Sequence, residues 1–284
     1  MPASARTVRR RRLTGAVVAV LAVVAGLVAL DRLGEGDVLL RQRCTASVGA
    51  ESFELTPTQT RNAALIAGVA VRRGLPARAA SIALATAIQE SRLENIDYGD
   101  DAGPDSRGLF QQRPSQGWGT EEQIMSPLYA TGAFYDALVR IPDYQALPIT
   151  EAAQRVQRSA FPAAYADHEP EGRAFASALT GNSPAALDCT LRRPSRSGDA
   201  VAVSASADEV FGPLGGVPDG NRLVLDVDGT LGWAVAQWAV ANADAQQIIS
   251  VSYSGLEWLR ADGGWTTAAT EPATLTITVA DLPG

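Results

Sequence analysis

The sequence contains no lysine. All 24 of its basic residues are arginine, and they face 31 acids and a single histidine, His168, for a net charge of −7. Arginine-only usage beside abundant alanine, glycine and proline reads as a coding bias and carries no chemistry. The acidic balance argues against a polyanion ligand, so nucleic acid is not an expected partner. With one histidine in the chain, a zinc peptidase site is disfavoured, and neither metal nor cofactor is expected. No internal repeat and no phosphate-cradling glycine loop is present, and "GDDAGPDSRG" lacks the spacing of a calcium loop. Cysteine is scarce too: only Cys44 and Cys189 occur. In an exported protein such a pair is most simply a disulfide, with two free thiols as the alternative.

What is present begins with charge asymmetry. Arg6 and Arg9 to Arg12 precede "LTGAVVAVLAVVAGLVAL", an uncharged run over 13–30. As a helix it would rise about 27 Å, close to the hydrocarbon thickness of a bilayer. Leu27 and Leu30 stand where a cleavage site would want small residues. The run therefore predicts an uncleaved single-pass membrane anchor, with a cleaved export signal as the alternative. The arginines would hold the N-terminus inside and put everything from Asp31 onward in the extracellular space.

Beyond a juxtamembrane stretch, 31–43, helical signals dominate. Thr56-Pro57 with Gln59 three residues after the cap predicts a capped helix ending at Gly74. "LPARAASIALATAIQESRL" follows, with Ala77, Ala80, Leu84, Ala87 and Ile88 on one face. Further helices are expected in "SPLYATGAFYDALVRI", "TEAAQRVQRSAF" and "EGRAFASALTG", making 44–189 a mainly α domain. A Pro/Ser/Arg linker over 190–204 leads to a mixed α+β domain over 205–284, with strands at "RLVLDV", "IISVSYSG" and "ATLTITV" around the helix "GWAVAQWAVANADAQQ".

The second of these helices ends in Glu90-Ser91, followed by an aspartate-rich loop and Gly108-Leu109-Phe110-Gln111. This order resembles the lysozyme-like superfamily, in particular lytic transglycosylases and goose-type lysozymes. Their catalytic Glu-Ser aligns with Glu90-Ser91, and their Gly-Leu-Met-Gln aligns with 108–111. "AAQRVQRSAFPAAY" occupies the place of a later substrate-contacting motif, with Gln157 where a tyrosine is usual. The resemblance implies cleavage of the MurNAc-GlcNAc bond of peptidoglycan with Glu90 as general acid. A helix C-terminus and an apolar surround would both keep its carboxyl protonated.

Asp105, and after it Asp100, are the candidates for a second carboxylate. Without one, the sugar's own 6-hydroxyl could attack and leave a 1,6-anhydro product, as the transglycosylases do. Gln111, Gln157, Ser91 and Trp118 are candidate substrate contacts. Gln111 reads equally as a turn-stabilising amide, Ser91 as a helix-end cap, and Trp118 as a plug at the core edge.

The segment from 219 to 280 resembles a module similar to zinc D-Ala-D-Ala peptidases. Asp226 stands at the expected aspartate, but Asp219 replaces a histidine ligand, and Thr274 and Thr276 replace a His-x-His pair. The expectation is a retained fold without catalysis, either a wall-peptide binder or a spacer whose Trp233, Trp238, Trp258 and Trp265 form core. The sequence as a whole reads as a membrane-anchored muramidase acting on peptidoglycan glycan strands, the rival being a catalytically silent wall-binding protein.

Overall fold

The computed structural model describes residues 40–101, 103–158, 162–271 and 273–282. Among the described residues no helix is long and apolar enough to cross a membrane. The expected single-pass anchor with its outside domains is therefore corrected: it has no support in the structure, and the apolar run over 13–30 on which it rested lies outside the described residues. The mainly α expectation is corrected as well, because about 44% of the described residues are helical and 19% are in strands, in two sheets.

The missed strands flank the helices of the first half. β1 (Arg43–Val48) pairs antiparallel with β2 (Glu51–Leu55) on one side and with β3 (Leu187–Thr190) on the other. Read in sequence, each is a short fragment beside a stronger helical signal. Together they close a sheet across 145 positions, with Cys44 directly opposite Cys189 and the two joined in a disulfide. In the loop-entropy description such a closure restrains the unfolded chain by roughly 4 to 5 kcal/mol.

Between β2 and β3 lie α1 (Pro57–Arg72), α2 (Ala77–Ser91), α3 (Glu121–Ile124), α4 (Pro127–Leu138), α5 (Ile149–Gln157) and α6 (Glu169–Leu179). The capping box at α1 forms as its sequence indicates, Thr56 accepting from the Gln59 amide at 3.3 Å and the Gln59 side chain accepting from the Thr56 amide at 2.9 Å. α2 is the central helix. Every residue from Ala79 to Ile88 is buried, so the single apolar face expected for it is in fact a fully enclosed cylinder. Its alanines make this possible, since a methyl group lets neighbouring helices approach from several sides.

The second half has α7 (Ala200–Phe211), β4 (Val217–Asp219), β5 (Arg222–Asp226), α8 (Gly229–Ala241), α9 (Ala243–Gln246), β6 (Ile248–Tyr253), β7 (Leu256–Leu259), β8 (Trp265–Thr267) and β9 (Thr274–Val279). α7 starts inside the stretch expected as linker, capped by the Asp199 carboxylate on the Val201 and Ala202 amides. The strands form one antiparallel sheet in the order β4-β5-β9-β6-β7-β8. Leu275, Ile277 and Val279 of β9 are buried while Thr274, Thr276 and Thr278 alternate with them on the other face, a period-two pattern that marks a half-covered sheet.

Residues 42–284 form one compact unit in which α8 packs against α1, α6 and β3 as well as against the sheet. Two details fix that junction. Gly181 adopts φ +78°, and a Cβ there would meet the Thr230 carbonyl at 2.0 Å, so only glycine permits the approach. The fully buried Gln237 amide donates to the Ala178 and Ser183 carbonyls and accepts from the Ala186 and Leu187 amides, using its four hydrogen-bonding positions.

Candidate active site

Glu90 occupies the last turn of α2 because the chain stops being helical immediately after it. Arg92 and Leu93 are both left-handed, at φ 54° and 59°, and their amides return to the Ile88 and Ala87 carbonyls. Non-glycine residues enter this region at a cost of about 1 to 2 kcal/mol each. Two side chains of α1 hold them there: Gln59 donates to the Arg92 carbonyl at 2.9 Å and Asn62 to the Leu93 carbonyl at 2.7 Å. The turn that aims Glu90 is thus locked from a neighbouring helix.

The half-buried carboxyl of Glu90 accepts a hydrogen bond from the Tyr165 phenol at 2.6 Å. Burial raises its pKa above the ordinary glutamate value, the hydrogen bonds from Tyr165 and Gln157 pull in the opposite sense, and the nearby Asp100 charge raises it further. No basic side chain lies in the last turn of α2 to offset the partial negative charge of the helix end.

Facing Glu90 is the hairpin Arg107–Gln112, whose two ends exchange backbone hydrogen bonds at 2.9 and 3.0 Å. Gly108 at φ +75° sits so close to Ile124 that a Cβ would meet its carbonyl at 2.7 Å. Leu109 and Phe110 are wholly buried, and Phe110 stacks on Phe134 with ring centroids 4.6 Å apart. The Ser91 hydroxyl donates to the Leu109 carbonyl at 2.8 Å, and the Gln157 amide donates to the Phe110 carbonyl at 2.6 Å. These two anchors leave Gln111, left-handed at φ 47°, on the wall of the cleft.

The cleft has a volume of about 550 Å³, and Glu90, Asp100, Gln111 and Gln157 line it along with Tyr98 and Arg158. A second compartment of about 560 Å³ adjoins it, sharing Gln116, Gln157 and Arg158 and containing Trp118 and Tyr129. No protein-family model matches this chain, and no curated protein matches it.

The residues singled out from sequence are therefore dispersed in a specific way. Glu90, Asp100, Gln111 and Gln157 meet in one cleft. Ser91 is buried behind it and positions the hairpin. Trp118, half-buried against the core, lines the second compartment. Asp105 is absent from the residues lining either space: one carboxylate oxygen accepts from the Arg113 guanidinium at 2.8 Å and the other from the Ser115 amide at 3.0 Å. Those bonds, Ser115 foremost, hold its pKa far below the usual aspartate range. Sequence reasoning missed Tyr165, whose partner lies 75 positions away. It also missed Tyr98, a 64%-exposed aromatic on the cleft rim whose only local signal is its place in an acidic loop.

In the second half, Asp226 lies opposite Thr274 across the β5-β9 ladder, and Asp219 lies opposite Arg222. Among the described residues no group of three or more His, Cys, Asp or Glu side chains could hold a metal ion. Trp233, Trp238 and Trp258 are buried. The Trp258 indole donates to Asp188 at 2.8 Å and the Trp265 indole to the Leu187 carbonyl at 2.9 Å, so these tryptophans bind β3 of the first half.

Proposed function

We propose that this protein is a muramidase that cleaves the MurNAc-GlcNAc bond of peptidoglycan, with Glu90 as its general acid. The observation that carries the reading is a half-buried glutamate with a raised pKa on the wall of an open cleft. Such a carboxyl keeps its proton into the pH range where an ordinary glutamate has lost it, and acid catalysis of glycoside cleavage needs that proton. The resemblance of Glu90-Ser91 and Gly108–Gln111 to the lytic transglycosylase motifs supports the same reading, as does the disulfide, which suits an oxidising compartment.

In the proposed reaction the Glu90 proton passes to the leaving O4 as the C1–O4 bond breaks. With Asp105 held by Arg113 and Ser115, Asp100 is the second carboxylate that lines the cleft, and a route that needs no second carboxylate is supplied by the substrate itself. The 6-hydroxyl of the muramic residue attacks C1, and its proton returns to the Glu90 carboxylate, leaving a 1,6-anhydro sugar. Tyr165 and Gln157 orient the carboxyl through both protonation states, since the phenol oxygen accepts from the acid and its hydroxyl donates to the carboxylate. Mass spectrometry of sugars released from purified peptidoglycan tests this. Products lighter by one water than reducing-end sugars are expected; hydrated ends would leave the glycosidase and remove the anhydro route, and no cleavage would leave only a wall-binding role.

A further inference from the structure

The second compartment is lined by Arg140, Arg155 and Arg158 against one acid, Asp136, and Asp136 is already paired with Arg73. Arg155 reaches Glu151 one turn away on α5, and both side chains are nearly half exposed, so that pair is weak and exchangeable. Among the described residues, the guanidinium groups of Arg140 and Arg158 have no hydrogen-bond or ion-pair partner. A net cationic compartment is unexpected in a chain of net charge −7; N-acetylglucosamine is neutral, and the lactyl carboxyl of a peptide-bearing muramic residue is tied up as an amide, so the sugars of an intact strand give it nothing to neutralise.

We infer that this compartment binds the carboxylates of the peptide carried by the muramic residue, so that the substrate is a peptide-bearing rather than a bare glycan strand. The inference rests on the muramidase reading for its chemistry. If the bond at muramic C1 is to reach Glu90, that sugar lies in the first cleft, and the peptide on its lactyl group must leave through an adjoining space. Gln157 and Arg158 line both spaces and mark the passage. Arg158 is held left-handed at the end of α5, its amide bonded to the Gln154 carbonyl, which presents its side chain to both compartments. Trp118 and Tyr129 supply an apolar wall for the peptide stem, while planar guanidinium forks match carboxylates in two-point contacts.

The experiment pairs binding with cleavage. The full chain carrying Glu90→Gln is titrated with soluble glycan strands that retain their peptides and with strands stripped of them by an amidase, whose muramic residues then carry a free lactyl carboxylate in place of the peptide, and the unmodified chain is assayed for cleavage of both. Peptide-bearing strands should bind about ten-fold or more tightly, and Arg140→Gln or Arg158→Gln placed on the Glu90→Gln chain should bring that ratio close to one. Raising the salt concentration should reduce the ratio in the same direction. Equal affinity for the two strand types, or a ratio unchanged by both arginine substitutions in variants that melt normally, overturns the inference whether or not cleavage occurs. Selective binding without any cleavage supports the inference and removes the muramidase reading.

Discussion

The Tyr165 phenol donates to the Glu90 carboxyl at 2.6 Å, although the two residues are 75 positions apart and Tyr165 is completely buried. This bond favours the ionised carboxyl and so limits the rise that burial imposes on its pKa. Replacing Tyr165 with Phe should move the alkaline limb of the cleavage profile to higher pH, because the proton-donating form of Glu90 would persist further. A limb that stays in place or moves down, in a variant with unchanged circular dichroism, would show that the bond does not govern Glu90.

Glu90→Gln keeps size and polarity but has no proton to donate, and cleavage should fall at least about 100-fold. Its stability should move the other way. The folded pKa of Glu90 is raised, so its contribution to stability is complete below the ordinary glutamate value of the unfolded chain and is lost as pH rises through the folded value. At neutral pH the substitution should therefore leave the melting temperature unchanged or higher, whereas at pH 3 the difference should disappear. A large neutral-pH destabilisation would contradict the environment described for this carboxyl.

Asp105 has the opposite linkage. Its folded pKa is depressed, so it stabilises the fold above the unfolded value near 3.8, and that support is lost as pH falls through the depressed value. Asp105→Asn should lower the melting temperature at pH 7 and progressively less on acidification. It should retain measurable cleavage, since the carboxylate serves Arg113 and Ser115 rather than the cleft. Loss of cleavage as complete as that of Glu90→Gln, in a folded variant, would restore Asp105 to the chemistry.

Gln237→Leu should destabilise the protein by about 2 to 4 kcal/mol, because it removes four hydrogen bonds, two of them to the buried Ala178 carbonyl and Leu187 amide. Denaturant unfolding measures this directly. A change below about 1 kcal/mol would mean that the two halves rely little on this amide.

The sequence alone determined the features whose causes lie within a few residues. The Thr56–Gln59 capping box is written in four consecutive positions. The alternation in "TLTITV" is a strand with one covered face, and Glu90 falls at a helix end because the alanine-rich run stops there. It also named the two cysteines as a pair, although their joining depends on β1 and β3 lying side by side.

The tertiary structure decided whatever depends on distant partners. Strands as short as β1, β2 and β3 have little local signal and exist because each supplies the hydrogen bonds another lacks. Four aspartates in one loop look alike in sequence, yet Asp105 is tied to Arg113 while Asp100 lines the cleft beside Glu90. Gln157 and Arg158 reach the cleft from the end of α5, and Tyr165 reaches Glu90 from the short helix before α6; such long-range placement follows from packing, not from the spacing of the residues themselves.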